Sequence, residues 1–549
     1  MIMAVLAGCG LIYEYLLSAY AGRILGTVES TIYTMIGLMI VSMGLGSFAA
    51  RVFKQPFTTF AWLESLIAFF GVSCILLIAL AVSFSAVLPR VIADTFNLPP
   101  DLVPSGGLLA GVRKLAQLSP YLFGAIIGFF IGMEIPLIAR VREKVHGEHL
   151  EHNTGTIYGA DYIGAGAGAA IWVIVMLSID ITKAAVITAT ANLIAGLIFL
   201  YFFWAKINFR KLLLAVHGVI ACLVVVIYVY GEDWTVRMTD LLYEDEVVFS
   251  HSSRYQHFVV TERYLSDLTE PVYGFYINGR LQFSSNDEHV YHSMLVYPPM
   301  LVANENNNVL IIGGGDGLAL RDVLRFEPQA VTLIDLDDEL VNFFTAQEEM
   351  SEFRSDLVEL NEHAFSDARV STVHGDAFIE VENLVKKGKR FDVIIVDLPD
   401  PSHPDLDRMY TTYFYERLGD LLNKDGAMSV QSTSPYHAKL AFLSIGKTIR
   451  AAGFSQVEQY RQNIPSFGEW GWSLATHGTV PSRRRFIDMN DADIKGNQWL
   501  TIDLLVAAFE FPGDFFDDIE QIEVNHLGQN RIYRYHDDAW HRDMGIYRD

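Results

Sequence analysis

Seven long apolar runs occupy the first 231 residues of this chain, and none follows. A helix covers the hydrocarbon core of a bilayer with about 20 residues. The runs near 2–22, 31–50, 60–88, 118–139, 155–179, 184–205 and 211–230 have about that length or more. Inside a membrane no water bonds the peptide groups, so such runs can only be helices. Gly164-Ala165-Gly166-Ala167-Gly168 in the fifth run lets helix backbones approach closely. Glu14, Glu64 and Glu134 lie inside runs, and Asp161 lies near the start of another. A charge facing lipid is costly, so these acids are expected to face the interior of the bundle. They read either as a path for cations or polyamines, or as protonated and paired acids that fix helix packing. Cys9, Cys74 and Cys222 all sit in apolar surroundings without metal or redox spacing and read as small packing hydrophobes.

After residue 231 the chain changes solvent. The formal net charge is −24, and all the excess acid falls in the second part. Such a surface favours cationic small molecules and excludes nucleic acid as a partner. Val247–Phe249, His257–Val260 and Tyr273–Ile277 read as short strands, with Asn278-Gly279 as a hairpin turn and Ser285 capping a helix from Asn286.

The strand Asn308–Ile312 then runs into Gly313-Gly314-Gly315-Asp316-Gly317 and a helix from Leu318. Strand, glycine-rich turn and helix open a nucleotide-binding β-α-β unit. The second strand, Val331–Ile334, ends in Asp335, placed to accept from ribose hydroxyls. The third, Val370–Val373, ends in His374-Gly375-Asp376-Ala377, and the fourth, Phe391–Val396, in Asp397-Leu398-Pro399-Asp400-Pro401. Four strand ends therefore deliver Asp316, Asp335, Asp376 and Asp397 to the edge where doubly wound sheets bind ligands. No P-loop lysine follows the glycines, and the dinucleotide fingerprint lacks its last glycine. An acid at 316 repels a pyrophosphate and suits a cationic sulfonium nucleoside that carries an ammonium group. Residue by residue the rival readings are a generic ribose acid for Asp335, a helix cap for Asp376, a simple turn for Asp400-Pro401 and a structural role for His292.

Val309–Leu324 resembles the signature of the spermidine synthase family, as do Ile277–Pro298, Phe391–Pro401 and Trp499–Pro512. The likeness covers about 245–515, and the apolar first half is similar to the membrane-anchored bacterial branch. The resemblance implies an N-terminal α-helical transmembrane bundle over 1–231, a small β-strand region over 232–300, an α/β Rossmann-like domain of class I methyltransferase type over 301–515, and an acidic tail over 516–549. It implies transfer of an aminopropyl group from decarboxylated S-adenosylmethionine, a co-substrate, to a diamine, putrescine by default; no prosthetic group or metal is implied. By the same resemblance Gln256, Gly313, Gly315, Asp316, Asp335, Asp376 and Ala377 hold the nucleoside. Gln282, Tyr291, His292, Asp316 and Asp400 hold the amine, and Asp397 and Asp400 are catalytic, with Asp397 the base. Glu288 is a further candidate at the amine's other end. Ser293 and Phe467 depart from the family pattern in the amine pocket, and Leu398-Pro399 replaces a pair of small hydroxyl residues. Two other functions compete: a methyltransferase on the same fold, and a transporter or sensor whose soluble domain binds polyamine without turning it over.

Partners follow: a diamine, a sulfonium nucleoside, the lipid bilayer and, as an option from the family, a second copy of the chain. Basic residues after the second, fourth and sixth runs (Arg51 and Lys54; Arg140, Arg142 and Lys144; Lys206, Arg210 and Lys211) place those loops in the cytoplasm. Seven spans would then leave the second half outside, whereas a domain using a cytosolic nucleoside belongs inside. The expectation adopted is an inner-membrane protein with its catalytic domain on the cytoplasmic face; either the charge bias misleads, or the count misses a re-entrant or interfacial segment, for which 89–116 is the first place to look.

Overall fold

The computed structural model describes residues 2–25, 28–96, 107–146, 150–264, 266 and 270–543. The chain forms two compact units, Met1–Val247 and Val248–Asp549.

The first unit is helical: α1 Ile2–Leu25, α2 Val28–Ala49, α3 Pro56–Thr95, α4 Leu108–His146, α5 Leu150–Ile174, α6 Ile181–Phe202 and α7 Arg210–Asp240. All seven are long and apolar enough to cross a membrane. With 40 and 39 residues, α3 and α4 each reach about 60 Å, roughly twice a hydrocarbon core. They absorb the flanks of the segment 89–116: residues 89–95 and 108–116 are helical, and residues 97–106, where an extra segment was expected, lie outside the described residues. The last helix also outruns residue 231, because its polar turns still find partners on α6. Lys183 pairs with Glu232, and the Thr182 and Thr235 hydroxyls meet at 3.2 Å.

Glycine brings α1 and α5 together: a Cβ on Gly164 would overlap the Ala4 carbonyl, and one on Gly168 would lie 2.5 Å from the Gly8 carbonyl. Glu14, Glu64 and Glu134 are buried and Asp161 is half-buried. Asn192 donates to Glu64 at 3.2 Å, and Ser65 and His217 Nδ1 meet at 3.2 Å. Cys9 and Cys74 are buried as packing residues, whereas Cys222 is on the exposed face of α7.

The second unit opens with the antiparallel sheet β1 Glu246–Ser252, β2 His257–Arg263, β3 Val272–Ile277 and β4 Arg280–Ser284, in sequential order. Asn278 (φ 50°) and Gly279 (φ 77°) both adopt positive φ between β3 and β4, as a type I′ hairpin requires. Ser285 does not cap the next helix. Its Oγ accepts from the Tyr273 N–H, and α8 Glu288–Val302 starts after Asp287.

There follow β5 Asn308–Gly313, α9 Leu318–Leu324, β6 Ala330–Asp335, α10 Asp338–Phe343, α11 Glu352–Leu360, β7 Val370–His374, α12 Ala377–Lys386, β8 Phe391–Asp397, α13 Pro404–Asp407, α14 Thr412–Leu421, β9 Leu422–Gln431, α15 Lys439–Ala451, β10 Gln456–Ile464, β11 Gly468–Thr476, α16 Ser482–Ile487, α17 Ile502–Ala507 and α18 Arg531–Asp543. Seven strands form one sheet in the order β10-β11-β9-β8-β5-β6-β7. β5 through β9 are parallel, and β11 and β10 run antiparallel at one edge. The centre of β5, Val309 to Ile312, is fully buried, which explains its unbroken apolar run. Strand order reverses between β5 and β8, and ligands of doubly wound sheets bind beyond the carboxyl ends of the strands at that point.

The expected acidic tail is not a separate element. Asp514, Asp517, Asp518 and Glu520 are exposed as expected, but Asn525, Ile532 and His536 are buried and α18 packs against α15. The apolar face of α18, hidden in the sequence among charges, carries it onto the sheet domain.

Candidate active site

Asp397 ends β8, the glycine-rich turn ends β5, Asp335 ends β6, and Asp376 follows β7. These strands are neighbours in that order, so the acids span three strand spacings, about 14 Å. That matches the length of a nucleoside with a short chain. The glycines make the edge approachable. Gly313 (φ 82°) lies beside Asp397 across the β5–β8 pairing, and a Cβ there would overlap the Asp397 carbonyl. A Cβ on Gly315 would sit 2.8 Å from Asp335 Oδ2.

The Asp397 carboxylate accepts from the Tyr291 hydroxyl at 2.7 Å. Burial pushes its pKa up to about 6; the His292 charge and the Tyr291 hydroxyl oppose the rise and Asp316 adds to it. Asp316 is raised by burial against the pull of His292 and of the Leu318 N–H, which its Oδ1 accepts at 2.9 Å. Asp335 is pushed up to about 7, chiefly by burial, with the Asp337 N–H at 2.9 Å opposing. Three carboxyls crowded at one edge and held above their ordinary range favour a cationic ligand, which would return each to its charged form.

Asp376 takes the capping role that was its rival reading: Oδ1 accepts from the Phe378 N–H at 3.0 Å, while Oδ2 pairs with Arg408 at 2.6 Å. Ala377 is buried at the first position of α12. Gln256 lies in the β1–β2 loop, where Ser253 bonds Asp337 Oδ2 at 2.5 Å and so ties the loop to the turn after Asp335. Gln282 turns back on the Arg280 carbonyl at 3.0 Å and bonds none of the four acids.

Asp400 stands apart from the other acids in its partners. Gln431 donates to Oδ1 at 3.1 Å and His536 meets Oδ2 at 3.2 Å. Burial opposes its ionisation, but His536, Arg280 and Gln431 outweigh it and hold the carboxyl below its ordinary value. Gln431 and Tyr410 also fix the loop between Asp397 and Asp400, donating to the Leu398 and Pro399 carbonyls at 2.9 Å each. This accounts for Leu398-Pro399: their backbone, rather than a hydroxyl side chain, is what the site holds.

Glu288 has its carboxylate engaged within the protein: it is buried in a bidentate pair with Arg321 (2.8 and 3.1 Å) and bonds His292 Nδ1 at 2.8 Å. Burial works against its ionisation, yet His292 and Arg321 bring its pKa down to about 2. Ser293 is fully buried and accepts from Asn497 at 2.6 Å. Phe467 packs its ring 6.1 Å from that of Tyr291. His292 is itself buried; burial disfavours its charge, but Glu288, Asp316 and Asp397 raise its pKa to about 9, so it is an imidazolium at neutral pH. Gln431, Tyr410, Arg321 and His536 escaped the sequence reading, since no local motif marks them.

The Spermine/spermidine synthase domain profile matches residues 288–485. Over 547 residues, 99% of this chain and 95% of the other, the chain is 53% identical to the polyamine aminopropyltransferase of Shewanella oneidensis. This chain belongs to the polyamine aminopropyltransferase family. Polyamine aminopropyltransferase 1 of Streptomyces coelicolor is 31% identical over 92% of this chain and 88% of its own length. A crystal structure of spermidine synthase in complex with the transition-state analogue AdoDATO aligns at 25% identity, with a TM-score of 0.42, over 50% of this chain and 88% of that one. The family assignment thus spans both units, because the first two relatives match over nearly the whole chain.

Proposed function

We propose that the soluble unit transfers an aminopropyl group from decarboxylated S-adenosylmethionine to a diamine, putrescine by default, releasing methylthioadenosine. The row of acids at the ends of β8, β5, β6 and β7 carries this reading. Asp335 accepts from the ribose hydroxyls. Asp376, with acceptor capacity left beyond Phe378 and Arg408, takes the adenine amino group, and Ala377 and the Gly313–Gly315 turn line the base and sulfonium. Gln256 closes the nucleoside side and Gln282 the amine side. Asp316 binds the ammonium of the aminopropyl arm.

The amine nitrogen forms a bond to the methylene beside sulfur as the C–S pair returns to sulfur. The leaving group departs neutral, so no general acid is needed. The amine, however, is almost wholly protonated at pH 7. Asp397, with its pKa near 6, is ionised and close enough to neutrality to take that proton, a role worth ~10²–10⁴ in rate. Tyr291 orients it, the His292 cation keeps it ionised, and Asp400 holds the far ammonium of the diamine.

Incubating the full-length protein with putrescine and decarboxylated S-adenosylmethionine is expected to give methylthioadenosine and spermidine in equal amounts, with no turnover of S-adenosylmethionine itself. Methyl transfer from S-adenosylmethionine would establish the competing methyltransferase reading, and binding without product the sensor reading. The helical unit is proposed to sit in the inner membrane with the soluble unit on the cytoplasmic side. Reporter fusions after Asp240 showing an external location would overturn that placement.

A further inference from the structure

The C-terminal segment reaches the acceptor end of the site from beyond the residues 288–485 that the synthase profile matches. It is fastened first to the loop after β8. Asn525, fully buried, donates to Asp407 Oδ2 at 2.8 Å and to the Tyr410 carbonyl at 3.1 Å, and the Tyr533 N–H donates to Asp407 Oδ1 at 2.8 Å. Ile532 continues the anchor into the core beside β9 and α15. The next turn of α18 carries His536, whose side chain is 2% exposed, against Asp400, whose side chain is 12% exposed.

One nitrogen of His536 faces two partners with opposite demands. Nε2 lies 3.2 Å from Asp400 Oδ2, a contact that needs a proton on Nε2. The same Nε2 lies 3.0 Å from Trp540 Nε1, a donor that needs a lone pair there. Only one of these bonds exists at a time. Around them stand the Arg280 guanidinium of β4, over the Trp540 ring at 5.9 Å, and His437 before α15, stacked on the same ring at 6.4 Å.

We propose that His536 is an acceptor-specificity residue: it holds Asp400 while the site is empty and yields that carboxylate to the distal ammonium of the diamine, its Nε2 then accepting from Trp540. The proposal rests on the reading of Asp400 as the acceptor-binding acid. The exchange balances as a change of ring tautomer: Nε2 gives up its proton as Nδ1 takes one from solvent, so that the diamine ammonium replaces the Nε2–H at Asp400 and the Trp540 bond forms. The energy of diamine binding is thereby reduced by the bond it displaces, and α18 sets how strong an amine must be to enter.

The test is the initial rate of methylthioadenosine release by the full-length protein, with putrescine varied at saturating nucleoside. His536→Gln, which withdraws the imidazole from Asp400, should lower the putrescine KM about 3- to 10-fold, the scale of one net hydrogen bond. His536→Lys, a permanent cation, should raise it at least as far, with the nucleoside KM unchanged in both. Trp540→Phe leaves His536 on Asp400 and should also raise the putrescine KM. Movement of both His536 variants in the same direction, or of neither, overturns the proposal. Asp400→Asn separates the two levels. An unchanged putrescine KM in that variant removes Asp400 as the acceptor acid and the proposal with it. A raised KM there, without the split between Gln and Lys, removes His536 alone.

Discussion

Replacing Tyr291 by phenylalanine takes one hydroxyl from the active centre and leaves the ring that packs against Trp472 and Phe467. The hydroxyl donates to Asp397 at 2.7 Å. A hydrogen bond to an ionised group contributes about 1.5–3 kcal/mol, and one pKa unit corresponds to about 1.4 kcal/mol, so Asp397 should lose about one to two units of support for its charged form. Its pKa would move from about 6 to about 7–8. The sign follows from the role: the base works only when ionised, so activity is lost as pH falls through this pKa, and a higher pKa moves that loss upward. At pH 7 the ionised share drops from roughly nine-tenths to between about one-half and one-tenth, a fall in kcat of about 2- to 10-fold. At pH 9 the two proteins should agree within about 2-fold. The assay is the pH profile of methylthioadenosine release at saturating substrates. A Tyr291→Phe enzyme that is equally slow at every pH, with an unmoved acid limb, would refute the claim that Tyr291 acts through the ionisation of Asp397.

Arg321→Met takes the guanidinium from two buried acids, leaving Glu288 with His292 alone and Asp322 with Arg325 alone, and should destabilise the second unit by about 3–5 kcal/mol, read as a lower Tm of tryptophan fluorescence in the full-length protein. The Glu288–His292 bond gives that unit a pH window. The His292 contribution is complete below its ordinary value of 6.5 and is lost as pH rises to about 9, while that of Glu288 is complete above 4.5 and is lost as pH falls toward about 2; Tm should therefore decline between pH 6.5 and 9, and His292→Gln should flatten that decline. Gly164→Leu forces side-chain atoms into the Ala4 carbonyl and should lower the melting temperature of the helical unit in detergent, while Gly166→Leu, with nothing within 4 Å of its Cβ position, should not.

The parts of the site that were legible in the sequence are those written locally. Each strand and the acid that ends it are contiguous in the chain, so Gly313–Asp316, Asp335, Asp376 and Asp397 could be placed on one sheet edge from order alone. Asn278-Gly279 announced its turn because few other residues tolerate two positive φ values. What escaped was pairing across long separations. Glu288 reads as a candidate for the amine's other end, and nothing local shows that α8 and α9 pack and bring Arg321, 33 residues later, against it. Asp400 and His536 are 136 residues apart, and the charge-rich sequence around His536 conceals a helix face that is buried only in the folded chain. The boundary of the helical unit was misplaced for a related reason: the polar turns of α7 are stabilised by partners on α6, which composition does not reveal.

Asp397→Asn is the most direct probe, because the substitution keeps the shape of the side chain and removes its basicity. Calorimetric titration of the variant with decarboxylated S-adenosylmethionine, alongside its turnover with putrescine, should show nucleoside affinity within a few-fold of the parent and a rate lower by at least ~10². Unimpaired turnover in that variant would contradict proton removal by Asp397 and the catalytic reading of this sheet edge.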